Sequence, residues 1–293
     1  MDTQQSNLKA GLWMAGSIAM FLTMSVAGRA ATAELDVFQV MLMRSVIGFF
    51  LLLPLVHFSG GLSAMKTHRP LMHIGRNVAH YGGQYAWLLA LTLIPLAELI
   101  SIEFTTPFWT ALLAVAFLGE RMNTKKTTAV VLGIVGVVVI VRPGVSEPQT
   151  GHLVMLAGAV AFAVSLVMVK AMTRTESVVR IIFWMLIIQS AIGLAPGLLV
   201  WRPPSLEVLP WVVLVAFTGT FSHYCLARAL VHAEATVVMP MDFMRLPLSA
   251  VLGWAMFSER LDMLTAAGAA LILAGNLVNI QRRRPEAVPP ETP

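Results

Sequence analysis

Nine ionisable residues stand inside long apolar runs of this chain: Arg44, Arg76, His80, Glu98, Glu103, His223, Arg228, Asp242 and Arg245. A charge at the centre of a bilayer costs about 2.5–3.5 kcal/mol on insertion scales, so such residues face a protein interior or a wet cavity. Spacing sorts them. Arg76, His80, Gln84 and Trp87 recur every three or four residues and share one helical face, with Tyr81 and Tyr85 as a neighbouring stripe. Glu103, Thr106 and Thr110 form a second stripe with Trp109 beside it, and Asp242, Arg245 and Ser249 a third; Ser222, His223, Tyr224 and Arg228 cluster less regularly. Around one cavity these groups offer cations, carboxylates and aromatic faces together. Arginine holds a carboxylate, a carboxylate holds an ammonium, and Trp or Tyr covers a side chain, which suits an amino acid or a related metabolite. The expected substrate-binding set is Arg44, His80, Tyr81, Gln84, Trp87, Glu103, Trp109, His223, Tyr224, Asp242 and Arg245.

Structural roles stand beside these. Asp242 and Arg245 are i,i+3 on a helix and can neutralise each other. Arg44 can form an interhelical ion pair, with Glu103 as a partner. Glu98 lies near a helix end and is expected to be solvated. Glu120 with Arg121, and Glu259 with Arg260, sit at helix ends and read as structural bridges. His80 and His223 are the candidates for proton coupling, histidine being the side chain that titrates near neutral pH, although a hydrogen-bonded interior histidine is the commoner case. The 18 methionines suit adaptable packing.

The elements that must position these residues follow from composition. Of 293 residues, 57% are hydrophobic and 12% charged. A soluble domain carries about twice that charge. Spans of about 20 apolar residues are expected at 9–28, 37–58, 71–91, 96–118, 125–142, 151–171, 178–200, 210–230, 235–257 and 263–281, many bounded by turn residues such as Ser59-Gly60-Gly61 and Pro203-Pro204. Pro95, Pro107, Pro240 and Pro247 can kink the fourth and ninth spans, and Gly133, Gly136, Gly268 and Gly275 suit close helix packing; packing is the plainer role for all of them. Eleven basic residues (Lys9, Lys66, Arg69, Arg121, Lys125, Lys126, Lys170, Arg174, Arg282, Arg283 and Arg284) fall on the N-terminal side of these spans; four (Arg29, Arg142, Arg202 and Arg260) fall on the other. That bias predicts both termini in the cytoplasm.

The net charge of +5 is spread over short loops and the C-terminus, so no nucleic-acid partner is expected. The partners expected are a small-molecule substrate and the lipid bilayer. Lys9 before an apolar run and Ala31-Thr32-Ala33 mimic a cleavable signal, but the run from Ala10 to Ala27 is long for one and is expected to be retained. The lone Cys225 forms no intramolecular disulfide. No Walker A, His-Glu-x-x-His, Gly-x-Ser-x-Gly or metal-spaced Cys/His cluster occurs, so no catalytic residue, metal or cofactor is expected.

The chain echoes itself. PFWTALLAVAFLGERM at 107–122 resembles PLSAVLGWAMFSERLDM at 247–263. A shift of 139 aligns Glu120 with Glu259, Arg121 with Arg260, Gly136 with Gly275 and Glu103 with Asp242. Five spans per half would invert the second copy, the plan of secondary transporters that hold substrate between two halves. The predicted fold is thus an all-α membrane protein: ten transmembrane helices as two inverted five-helix repeats, 9–142 and 151–281, around a central cavity, with 282–293 as a disordered cytoplasmic tail.

At these residues the chain resembles the ten-helix EamA-type members of the drug/metabolite transporter superfamily. The resemblance rests on Arg44, Pro107, Leu118-Gly119-Glu120-Arg121, Gly133-x-x-Gly136 leading to Arg142-Pro143-Gly144, Ser258-Glu259-Arg260-Leu261 and Gly268 through Gly275-Asn276. It is most similar to bacterial amino-acid and metabolite exporters of the YddG type. The resemblance implies a bacterial inner-membrane secondary transporter, not an enzyme, that exports amino acids or similar metabolites. Members of the superfamily also move S-adenosylmethionine, nucleotide sugars, purines or cationic drugs. In this chain Ser258 stands where the first half has Gly119, and Asp242 and Arg245 make the ninth span unusually polar.

Overall fold

Two prolines decide where the central spans break. Pro107 and Pro247 have no N–H, and their rings crowd the carbonyl four residues back, at Glu103 and Phe243. In a computed structural model of the protein, the span expected at 96–118 divides into Leu96–Glu103 and Thr106–Leu118, and that at 235–257 into Ala235–Asp242 and Arg245–Phe257. The structure describes residues 6–118, 122–142, 149–172, 175–233, 235–260 and 262–279. Glu120, Arg121 and the tail 282–293 lie outside them.

In chain order the helices are α1 (Asn7–Thr32), α2 (Val37–Phe58), α3 (Pro70–Leu93), α4 (Leu96–Glu103), α5 (Thr106–Leu118), α6 (Thr124–Val141), α7 (Thr150–Met172), α8 (Val178–Leu199), α9 (Leu209–His232), α10 (Ala235–Asp242), α11 (Arg245–Phe257) and α12 (Met263–Asn279). Their N-termini follow side-chain capping: Ser6, Asp36, Asn123 and Ser177 each accept a backbone N–H from the first turn of α1, α2, α6 and α8. Among the described residues, six helices, α1, α2, α6, α7, α8 and α9, are long and apolar enough to cross a bilayer. The polar face of α3 dilutes its hydropathy, and α4, α5, α10 and α11 are short because of the breaks. Large apolar side chains such as Phe50, Leu198, Val251 and Trp254 are exposed on the outside of the bundle, as a lipid-facing surface requires.

The shift of 139 seen in sequence recurs in the elements. Helices α3, α4, α5 and α6 begin at 70, 96, 106 and 124; α9, α10, α11 and α12 begin at 209, 235, 245 and 263, each 139 residues later. Packing obeys the same exchange. Contacts of α1 with α9 have their counterpart in α7 with α3, while α6 meets α12 and α2 meets α8. The α6–α12 approach depends on glycine. A Cβ on Gly136 would lie 2.7 Å from the Gly268 carbonyl oxygen, and one on Gly268 2.6 Å from that of Gly136. Only bare backbone fits there. Ser258 ends α11 in the left-handed region, φ 54. That conformation favours glycine, and its equivalent in the first half is Gly119.

The broken helices leave main-chain groups to satisfy at mid-bundle. Asn276 Nδ2 donates to the Phe104 carbonyl at 2.9 Å, and the Thr105 and Thr106 hydroxyls donate to the carbonyls of Ile102 and Glu103. Irregular backbone at this depth persists only where protein or a cavity supplies such partners. The breaks also bring Glu103, Phe104, Asp242, Phe243 and Arg245 to helix ends in the centre of the bundle.

Candidate binding cavity

A cavity of about 890 Å³ occupies that centre. The face of α3 expected from its spacing lines it with Arg76, His80, Gln84 and Trp87; α2 adds Arg44, α9 adds His223, and the helix breaks add Glu103, Asp242 and Arg245. Its wall extends to Lys126 in the first turn of α6 and Val169 in the last turns of α7. The volume is near the top of the roughly 300–1,000 Å³ of drug-sized ligand sites.

The charges divide into two poles. At one, Arg245 spans both acids: Nη1 donates to Glu103 at 3.0 Å and Nη2 to Asp242 at 2.7 Å. The other oxygen of Glu103 accepts the Trp87 indole N–H at 2.7 Å. Phe21 and Phe104 cover the guanidinium, their centroids 4.4 and 4.8 Å from its central carbon. Phe104 also meets its own 139-shifted equivalent, Phe243, edge to face at 5.5 Å. At the other pole neither Arg44 nor Arg76 has a carboxylate partner among the described residues. The Arg76 guanidinium donates only sideways, to Asn77 at 2.9 Å, and leaves its buried Nε unbonded. Arg44 lies against the backbone at Gly219, where an added Cβ would come within 3.3 Å of it. His80 and Gln84 touch at 3.1 Å.

The structure does not bring every expected residue here. Tyr81 points towards Gly193 of α8, and its neighbour Tyr85 stacks on Phe38 at 4.4 Å. Trp109 spends its indole N–H on Thr105. Tyr224 packs on Trp13 and Phe221, and Arg228 lies over Trp13. Glu103 pairs with Arg245 rather than with Arg44. Phe21, Phe104, Phe162 and Phe243 line the cavity without having been signalled by any polar pattern.

Away from Lys126, the far end of the bundle is laced shut. Glu259 accepts from Arg29 and from the Leu96 N–H that opens α4; Arg29 also donates to the Leu91 and Ile94 carbonyls at 2.9 and 3.0 Å. The bridge expected of Glu259 with its neighbour Arg260 is therefore made with Arg29 instead. Glu98, expected in solvent, bonds His152 at 2.6 Å. Arg142 pairs with Asp262, which also accepts from Thr265 at 2.9 Å. Burial pushes the Asp262 carboxyl up, but its hydrogen bonds to Thr265, Arg142 and Leu264 outweigh this and hold it below its ordinary value. Each of these three contacts joins the first half of the chain to the second.

Discontinuous helices meeting charged side chains in the middle of an apolar bundle define a multi-pass membrane carrier. The EamA-like transporter family matches residues 8–142 and 149–281, so the chain belongs to that family. It is a transporter of small molecules and not an enzyme. The S-adenosylmethionine uptake transporter of Rickettsia prowazekii is 26% identical over 94% of each chain. The riboflavin transporter of Rhizobium johnstonii is 31% identical over 74% of this chain and 72% of its own. The pseudopaline exporter of Pseudomonas aeruginosa is 25% identical over 91% of this chain and 94% of its own. A solved crystal structure aligns with 93% of this chain and 96% of its own at a TM-score of 0.64 and 18% identity, a likeness of fold alone.

Proposed function

We propose that the protein is a secondary carrier that moves amino-acid-type metabolites by alternating access. Its preferred substrates would be elongated, with an acidic or zwitterionic end on a body that carries an aromatic ring. The observation that carries this reading is the separation of the two poles. Eleven residue steps of helix separate the backbone at Arg76 from that at Trp87, about 16 Å at 1.5 Å per residue. A free amino acid has its carboxylate and ammonium on one carbon and cannot reach both poles. The simple match of arginine to carboxylate and Glu103 or Asp242 to ammonium therefore gives way to a longer ligand. Its carboxylate would meet the unpaired Arg44 and Arg76, and its ring would meet Trp87, Phe21 and Phe104. S-adenosylmethionine, named for the Rickettsia relative, has that form: an amino-acid end and an adenosine end.

The architecture of the reading is ten spans in two inverted five-helix repeats, 9–142 and 151–281, in a bacterial inner membrane. The Lys/Arg bias of the loops supports cytoplasmic termini. The cavity wall extends to Lys126, on the cytoplasmic side of this reading, and ion pairs close the far end. Loading from the cytoplasm makes export the working direction wherever cytoplasmic substrate is in excess, and a reversed gradient would drive uptake. His80 and His223 are the cavity groups through which a coupling proton would act.

Purified protein in liposomes should exchange labelled S-adenosylmethionine faster than free methionine. Absence of flux for any amino acid, nucleoside or conjugate of the two would reject the reading. If His80 or His223 couples protons, its replacement by Gln should flatten the pH dependence of net transport and leave exchange intact.

A further inference from the structure

The core of the acid pole is built from equivalent parts of the two halves. Glu103 and Asp242 are 139 residues apart and end α4 and α10; Phe104 and Phe243 follow them. The first residue of the next helix breaks the match: Thr106 opens α5, whereas Arg245 opens α11. That one departure puts a guanidinium between the two equivalent carboxylates and against two aromatic faces. Its side chain is only 12% exposed.

Two carboxylates with two phenyl rings form the arrangement that recognises organic cations, quaternary ammonium ions above all. Here the chain fills that site itself. We propose that Arg245 is a specificity-determining residue: it occupies a latent quaternary-ammonium site in the transport cavity and so keeps organic cations that lack a carboxylate out of it. The inference rests on the cavity being the substrate site. It explains why a cavity rich in acids need not be a cation site. Arg245 neutralises one of the two negative charges and takes the hydrogen-bonding positions of both, so an incoming cation finds one net charge already bonded. Arg44 and Arg76 at the opposite pole add repulsion. A threonine at 245, as at the equivalent position 106, would leave Glu103 held only by Trp87 and Asp242 unpaired. The vacated space between Phe21 and Phe104 would then accept a trimethylammonium head.

The test is equilibrium binding of benzyltrimethylammonium to the purified full-length carrier in detergent. Wild type should show no saturable binding. Arg245→Thr should gain saturable binding, its affinity at least about tenfold above any wild-type signal, since close charge pairs contribute more than the 1.4 kcal/mol this ratio represents. Arg245→Lys, which keeps the charge, should not. Adding Glu103→Gln and Asp242→Asn to Arg245→Thr should remove the gain. If the threonine variant is not monodisperse, Arg245→Gln replaces it, because its amide can still donate to a carboxylate. Saturable cation binding by wild type overturns the proposal with no variant needed, as does a folded Thr or Gln variant that gains nothing. Flux of acidic conjugates in liposomes by the wild type is read separately, so failure of the cation result leaves the carrier reading standing.

Discussion

The two ends of the bundle handle charge differently. At the far end charged side chains meet partners across the two halves: Arg29 with Glu259, Arg142 with Asp262, and Glu98 with the imidazole of His152. Along the cavity three arginines face two acids, and Arg245 takes both, which leaves Arg44 and Arg76 unmatched. Matched charges that cross from one half to the other act as a clasp. Unmatched charges in a low-dielectric space are expensive, and a ligand that supplies the missing anion recovers that cost. The Glu176 cluster at the near end shows that crossing alone does not make a clasp over the cavity. Glu176 accepts from Thr67 at 2.6 Å and from Arg180 at 2.7 Å, but it is not among the residues that line the cavity.

The contrast breaks most severely if the unmatched pair is removed. Arg44→Ala with Arg76→Ala should lower the affinity for an acidic substrate by about 100-fold or more, the scale of truncating a buried charge pair worth 2–5 kcal/mol, measured by ligand-induced thermal stabilisation. A smaller but clear effect is expected at the clasp. In a Cys225→Ser, Thr110→Cys background, Arg29→Ala or Glu259→Gln should raise labelling of the cavity thiol by an impermeant reagent from the far side about tenfold, equivalent to roughly 1.4 kcal/mol of gating free energy. Labelling unchanged by either would mean that the pairs do not hold that end closed.

Two further changes sharpen the comparison. Gly136→Val places side-chain atoms where the Gly268 carbonyl already lies, so α6 and α12 must separate beneath the Arg142–Asp262 pair. Overpacking of this kind costs about 1–3 kcal/mol, read as a lowered thermal midpoint. The smallest expected effect is one of pH. Asp262 has a folded-state pKa below its ordinary value, so its contribution is fully present above the usual aspartate range of about 3.9 and is lost as pH falls through the lowered value. Asp262→Asn should reduce the acid sensitivity of far-end closure, measured by the same thiol labelling.

Much of this was legible in sequence. The span limits followed from apolar runs, but four prolines were equal candidates for kinks in the fourth and ninth spans, and only the structure puts full breaks after Glu103 and Asp242. The α3 face Arg76, His80, Gln84 and Trp87 was readable because one helical period brings those positions together. Tyr81 misled because α3 is surrounded: its other polar face packs on α2 and α8 and carries tyrosines too. Phe21, Phe104, Phe162 and Phe243 were invisible because a phenylalanine against lipid and one against a cavity look alike in a membrane span. The partners of Glu259 and Glu98 were illegible for a different reason. Arg29 lies 230 residues from Glu259 and His152 lies 54 from Glu98. Local spacing points to the adjacent Arg260, but both residues follow the end of α11, where Ser258 turns the chain out of the helix.

The proposed role of the unmatched arginines is to take a substrate's acidic group. It is tested most directly by offering the purified carrier pairs of ligands that differ only in that group, S-adenosylmethionine against its decarboxylated form and aromatic amino acids against their amines. The acid of an elongated pair should bind, and loss of its carboxylate should abolish binding to wild type. Equal binding of both members, or tighter binding of the amine, would contradict it.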